Sequence, residues 1–347
     1  MKKYSKLALV CAVLLLTAAL LAACSGGGSD SPAGGQKVIT DQLGREVVIP
    51  ETINKVAGTH VYGGKMLFAM GQKDKLGFQM QLGADLEALA KVDAAYGALP
   101  TALSSPNGTD SPEAMVSLGV NLVFTDAFRG EEEANIFTNA GIATVAVSGE
   151  TFEEVYQTAE IMGEIFDCPE RAVELKEFIE NMRTMVAGRV ANLSDEEKPV
   201  VLISGSGGVY TAATADMFQH QMVETAGGIN AGADLTGRWA KISAEDIINL
   251  DPDYIVLGSS FGADTVESVL ADPALQSVSA IRNKNVYIFP STLGWWDFPL
   301  PQSILGIVWT AKTIHPELFE DINIKDTADS VYKFIYGYTY TELGGTL

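Results

Sequence analysis

The chain has 347 residues, 47% of them hydrophobic, with 44 acidic against 23 basic side chains and a formal net charge of −21. Such an excess of negative charge excludes a nucleic-acid binder and points to a partner with a basic surface, attracted in a salt-dependent way. Of the three cysteines, Cys11 and Cys24 fall in the amino-terminal segment, so Cys168 is left without a partner for an intramolecular disulfide.

Lys2, Lys3 and Lys6 precede an uncharged run from Leu7 to Leu21, followed by Leu21-Ala22-Ala23-Cys24. A basic start, a short apolar stretch and small residues before a cut make residues 1–23 a secretory signal. The run is shorter than the roughly 20 residues that cross a bilayer as a helix. A Cys directly after Leu-Ala-Ala resembles the bacterial lipobox, in which Cys24 becomes the lipidated first residue of the mature protein. That would tether it to the extracytoplasmic face of the cell membrane, as an uncleaved anchor also would. Residues 24–36 (SGGGSDSPAGG at 25–35) cannot bury a core and read as a flexible linker. The remaining chain exceeds the roughly 250–300 residues at which single cores stop growing, so two lobes are expected.

Val38–Asp41 and Val47–Ile49 flank Gly44 as a hairpin closed by Pro50. Residues 55–58 form a short strand that runs into a loop, Thr59 to Gly64, before a helix over 65–70. Strands over 122–125 and 144–147 alternate with helical segments, the pattern of a parallel α/β sheet. Thr151 with Glu154 forms a capping box that starts a helix over 152–166. The stretch 169–192 has apolar residues at Ala172, Leu175, Phe178, Ile179, Met182, Met185, Val186 and Val190, one face of a single long helix. Pro169 suits its first turn. Lys176–Glu180 and Glu180–Arg183 are spaced to pair on the wet side. At 1.5 Å per residue the helix reaches about 36 Å, enough to tie two lobes together. A second α/β series follows, with strands over 200–204, 254–257 and 286–289 and a glycine loop at 205–208. Helices are expected over 216–226, 303–314 and 326–335.

Residues 111–123 (SPEAMVSLGVNLV) and 243–255 (SAEDIINLDPDYI) form a near-repeat on either side of the long helix. Each is a Ser cap, a first-turn Glu, a short helix and a strand. Two similar α/β lobes, residues 37–168 and 193–347, with a cleft between them are therefore expected.

Here the chain resembles the solute-binding lipoproteins of ABC importers for iron complexes and cobalamin, the class III periplasmic binding proteins. The lipobox, Thr40-Asp41-x-x-Gly44-Arg45-x-Val47, both Ser-x-Glu segments, Ala226-Gly227-Gly228-Ile229-Asn230, Leu250-Asp251-Pro252-Asp253 and His315-Pro316-Glu317-Leu318-Phe319 carry the resemblance over residues 37 to about 320. The first lobe departs from the pattern at Gly119-Val120-Asn121, where the family has a Pro-Asp pair. The resemblance implies two Rossmann-like α/β lobes bridged by one rigid helix. It also implies capture of a siderophore, haem or corrinoid by a monomer, and delivery to a permease driven by a cytoplasmic ATPase. Glu113 and Glu245 would dock into basic permease pockets; without that role, each simply complements a helix dipole.

Ligand contacts are expected from loops at the carboxyl ends of strands. The first lobe offers Thr59, His60 and Tyr62, then Asp126, Phe128 and Arg129. The second offers Ser206, Gly207 and Tyr210, then Arg238 and Trp239, then Ser259, Ser260 and Phe261, and finally Trp295, Trp296 and Phe298. His60 is a ligand to a chelated metal or a hydrogen-bonded loop histidine. His220 and His315 read as structural. Tyr62 and Tyr210 are phenolate ligands or hydrogen-bond donors. One of the adjacent tryptophans stacks on a flat chelate or packs the core. Arg129 and Arg238 pair with an anionic ligand or with surface carboxylates. The glycine loop at 205–208 lacks the full dinucleotide fingerprint and reads as a turn allowing close approach of a ligand. Three scattered histidines oppose a bare-metal receptor, and neither a nucleophile elbow nor a catalytic Ser or Cys paired with His points to an enzyme. No resident cofactor and no resident metal are expected. An oxyanion or other small solute stays open as the ligand.

Overall fold

The computed structural model describes residues 36–80, 83–101, 111–205, 207–258 and 264–347. The signal, Cys24, Ser206, Ser259, Ser260 and Phe261 lie outside the described residues.

Two parallel sheets organise the chain. In the first, strands Lys55–Gly58, Val120–Asp126 and Ala143–Val147 lie side by side in chain order, with Val123 between Ala57 and Thr144. In the second the order is Val286–Ile288, Tyr254–Leu257, Val200–Ser204, Ile229–Asn230, all parallel, with Ile255 between Val286 and Leu202. Val56, Leu122, Phe124, Val145, Leu202, Ile203, Ile255 and Val256 are buried, the continuous apolar runs of strands covered on both faces. The second series leaves Val200–Ser204 in one direction and returns to pair on its other side. Its order therefore reverses beside Ser204 and Leu257, where an open α/β sheet leaves a crevice.

The long helix runs Pro169–Val190. Ala172, Leu175, Ile179, Val186 and Val190 are buried, and Phe178, Met182 and Met185 pack against the same core. It packs on Phe152–Ile165 from the first lobe and on Ile304–Ile314 from the second. Glu180 and Arg183 pair at 2.6 Å. Lys176 instead places its ammonium 5.3 Å from the Tyr156 ring, a cation–π contact.

The Thr40–Val47 motif has a physical basis in Asp41. Its buried carboxylate accepts from the backbone N–H groups of Leu43, Arg45 and Ala146 and from the Arg45 guanidinium, which also donates to Thr144 O. One side chain thus fixes the hairpin turn and clips the hairpin Val38–Thr40/Glu46–Val48 to the edge of the first sheet.

The helix expected from residue 65 begins earlier, spanning Val61–Ala69. His60 has extended backbone and caps it, its Nδ1 accepting from Tyr62 N–H at 3.5 Å. Gly63 and Gly64, expected in the loop, are helical and pack closely against their neighbours. A Cβ on Gly64 would fall 1.7 Å from Met80 Cε, and one on Gly63 would fall 3.1 Å from Phe124 Cβ. The helix Ile324–Tyr336 crosses back to pack on Val61–Ala69, with the Phe68 and Tyr336 rings 5.6 Å apart. The two near-repeat helices are Pro112–Ser117 and Ala244–Leu250, capped by Ser111 and Ser243, with Glu113 and Glu245 exposed in their first turns.

Candidate functional site

Each strand of the first sheet ends at the same edge and delivers a loop there. Lys55–Gly58 leads to His60 and Tyr62, Val120–Asp126 to Asp126, Phe128 and Arg129, and Ala143–Val147 to Ser148, Gly149 and Glu150. Across from them the second lobe contributes Met217, Gln219, Arg238, Trp239, Phe298 and Pro299. Together these fourteen residues line a cleft of about 410 Å³. Phe128, Ser148, Glu150 and Arg238 also line an adjoining cavity of about 830 Å³, bounded further by Gln42, Glu154, Gln157 and Asp216.

Packing fixes these side chains. The Tyr62 ring lies flat over Gly149, where a Cβ would come within 2.3 Å of it. The Trp239 ring lies over Gly205, where a Cβ would sit 2.5 Å away. Trp239 is held at φ 48°, a left-handed backbone uncommon for a large residue, and its backbone N–H donates to Met217 Sδ at 3.3 Å. The glycine loop expected to admit a ligand is thus filled by the protein itself. Gly205 takes Trp239, and Gly207 and Gly208 take Thr211 and Asp264. The crevice at the reversal of the second sheet is floored by an indole.

The cleft has a largely apolar lining that carries charged groups of both signs. His60 Nδ1 stands 3.8 Å from Asp126 Oδ2. Burial lowers the imidazole's affinity for a proton; Asp126 opposes this, and Arg129 and Arg238 add to it. Burial pushes the Tyr62 phenol far above its ordinary value, which favours the neutral hydroxyl. Among the described residues, Gln219 Oε1 and Glu150 Oε2 are buried without a hydrogen bond of good geometry, and the buried Tyr62 hydroxyl stands beside Thr158. Arg129 makes a long contact to Glu133 at 3.4 Å. Arg238 forms an ion pair with Glu150 and lies over the Phe128 ring, its guanidinium carbon 4.3 Å from the centroid. Burial raises the Glu150 carboxyl, and Arg238 pulls it back down.

The structure therefore brings His60, Tyr62, Phe128, Arg129, Arg238 and Trp239 into one cleft. It turns three expected residues elsewhere. The Tyr210 hydroxyl donates to Asp272 at 2.6 Å, which pushes its pKa up to about 12, and the ring packs on the outer core of the second lobe. Trp296 is fully buried, 6.0 Å from the Tyr340 ring. Trp295 packs between Phe298, 5.5 Å away, and Lys65, 5.8 Å away. The aromatic side chain that this loop presents to the cleft is Phe298. His220 and His315 make structural contacts, to Asn230 and to Gly227 O. Ser148, Gly149 and Glu150 were missed although they follow the third strand, where the strand-end rule already pointed. Met217 and Gln219 carry no comparable signal.

Residues 108–293 match the profile of the family described as periplasmic binding protein. The chain belongs to the periplasmic binding protein family. The molybdate-binding protein MolA of Haemophilus influenzae is 25% identical to this binding protein over 331 residues, 88% of this chain and 92% of that one. A lipoprotein of Bacillus subtilis described as an ABC transporter substrate-binding protein, YvrC, is 28% identical over 53% of this chain and 57% of its own. The vitamin B12-binding protein of Salmonella typhimurium is 28% identical over 43% of this chain and 56% of its own. In structure, molybdate-bound MolA superposes with a TM-score of 0.71 at 21% identity, covering 88% of this chain and 99% of MolA. That places the fold, two α/β lobes about a long helix, among known binding proteins. Among the described residues no helix is long and apolar enough to cross a membrane.

Proposed function

We propose that the protein is the lipid-anchored, extracytoplasmic receptor of an ABC importer and that its cleft captures a compact anionic solute. The carrying observation is the meeting of Arg129 from one lobe with Arg238 from the other, beside the His60 imidazole, in a chain where acids outnumber bases 44 to 23. Cations so scarce, gathered at one cleft, supply what an oxyanion or anionic chelate needs: charge-assisted donors and a guanidinium fork. A cleft of about 410 Å³ is at the small end of the roughly 300–1,000 Å³ of ligand sites. MolA, named for molybdate, matches along nearly its whole length. Tetrahedral oxyanions are therefore the first candidates. The role is capture and delivery, with no catalytic step. Cys24 is the lipid attachment point, and YvrC, a partial relative, is named as a lipoprotein. Exposed Glu113 and Glu245 are the docking acids for a permease with basic pockets, which works with its cytoplasmic ATPase.

A second reading has its own support. Phe128, Trp239 and Phe298 give the cleft an aromatic wall, and the adjoining cavity of about 830 Å³ leaves room for a flat chelate such as haem, a ferric siderophore or part of a corrinoid. Calorimetric titration of the mature protein with molybdate, tungstate, sulfate and phosphate, beside haemin, cobalamin and ferric siderophores, separates the two. An anion at 100 times its dissociation constant should stabilise the fold by about 2.7 kcal/mol. Arg129→Ala should remove most of that gain. Binding of a chelate alone, lost on His60→Ala, would replace the oxyanion reading with metal ligation by His60.

A further inference from the structure

Arg238 is the one cleft cation whose partners come from the opposite lobe. Its loop follows Ile229–Asn230 in the second lobe, whereas Glu150 and Phe128 follow strands of the first. The guanidinium is paired with the Glu150 carboxylate and stacked on Phe128, so one side chain spans the cleft. It is also aimed: the neighbouring Trp239 is pinned by its ring over Gly205 and by its backbone N–H on Met217. Glu150 is held too, next to the Gly149 on which Tyr62 lies. Its Oε1 faces Arg238, and its Oε2 is buried without a hydrogen bond of good geometry among the described residues, the Phe218 backbone standing close by. Both residues line the inner cleft and the adjoining cavity, so the pair stands at the boundary between them. The carboxylate oxygen on the guanidinium occupies the place that an oxygen of a bound anion would otherwise take.

We propose that Glu150 is an internal anion of the binding site: its carboxylate occupies Arg238 and latches the two lobes in the empty protein, and an incoming anion must displace it. This rests on the anion-binding reading above. Glu150 then determines specificity by setting a threshold. A ligand offering two or more oxygens to the guanidinium fork exceeds a single carboxylate oxygen, whereas a weak monoanion does not. The same exchange couples binding to lobe position, because Arg238 leaves the first lobe's carboxylate only when the ligand bridges the gap in its place.

The test compares wild type, Glu150→Gln and Arg238→Gln in the mature protein, with two readouts. The first is the distance between spin labels on Val116→Cys and Ile248→Cys, one per lobe, in a Cys168→Ser background without added anion. The second is calorimetric affinity for molybdate and sulfate. A latch predicts that both variants shift the label distances outward, because either one removes it. Affinity should move in opposite directions. Glu150→Gln should bind molybdate about tenfold more tightly, on the order of one charge contact released from competition, and Arg238→Gln should bind it at least as much more weakly. Weakening in both variants, or label distances equal to those of wild type, would overturn the proposal. If neither anion binds wild type or Glu150→Gln, the compact-anion reading falls with the competition that rests on it, and the label distances alone then decide the latch.

Discussion

Lys65 carries its ammonium into the interior of the fold. Its side chain is 0% exposed, as is that of Asp85, and Nζ lies 2.5 Å from Asp85 Oδ2. Tyr336 donates to the same carboxylate at 3.0 Å. Two glycines make room for it: a Cβ on Gly83 or on Gly294 would stand 2.7 Å from a carboxylate oxygen, and both have positive φ. Burial lowers the lysine and Asp85 opposes that, so the pair survives by mutual neutralisation. Removing one partner leaves the other uncompensated. Asp85→Asn should cost about 3–5 kcal/mol in urea unfolding, and Lys65→Met with Asp85→Leu should recover much of it. A loss under about 1 kcal/mol would mean that the lysine is neutral in the native protein. None of this was legible in the sequence, where Lys65 follows two glycines and its acid lies far outside helical spacing. By contrast His60, Arg129 and Arg238 could be read, because each follows a strand and strand ends face the cleft. Glu150 obeys the same rule, but the sequence signal there is taken up by the Thr151–Glu154 capping box that follows it.

The long helix shows why an element is easier to read than a contact. Its apolar spacing from Ala172 to Val190 can be satisfied by only one face, and that face is buried as expected. Ends depend instead on local exchanges that periodicity does not encode, such as the His60 cap and the tolerance of Gly63 and Gly64 inside a helix. At its carboxyl end the long helix is anchored by Arg189, which donates to Leu318 O at 2.8 Å and forks onto both Asp321 oxygens at 2.5 and 2.7 Å. That explains the His315–Phe319 motif: the turn Pro316–Leu318 presents a carbonyl and leads to the acid that receives this arginine. The hydrogen bond to Arg189 holds Asp321 at about 2, below its ordinary 3.8. A carboxyl lowered on folding contributes stability that is present above about pH 4 and is lost as the pH falls towards 2. Asp321→Asn should therefore unfold less steeply than wild type in that window by circular dichroism while being the less stable protein at pH 7. Parallel acid-unfolding curves would remove Asp321 from the account. The pair is exposed, so the difference should be small and should shrink further in high salt.

At the scale of the molecule, the two sheets are not independent bodies hung on a flexible strap. One continuous core takes in Leu67 and Phe124 of the first lobe, Leu175 and Val186 of the long helix, and Ile203 and Trp296 of the second lobe. The helix Ile324–Tyr336 returns to the first lobe, where Tyr336 reaches Asp85 and stands 3.4 Å from Gln302. Two lobes and a bridging helix could be read from the near-repeat and from apolar spacing. The return of the last helix could not, since an amphipathic helix says which face is buried but not against what. That return decides how the protein can move. Opening the cleft by a wide rotation would pull Tyr336 from a buried carboxylate and expose Lys65, costs far above what one small ligand repays. Small shear at the cleft rim, where the Arg238–Glu150 contact lies, disturbs none of these. Ligand-bound and empty structures should therefore superpose with Cα deviations of about 1 Å or less within each lobe, the difference being a small shear between the lobes together with movement of the loops that carry Phe128, Glu150, Arg238 and Phe298. Crystal structures of the two states check this, and a large rigid-body rotation between them would contradict it. Tyr336→Phe supplies the complement: if this network restrains the lobes, its loss should broaden the inter-lobe label distances in the empty protein even with Glu150 intact.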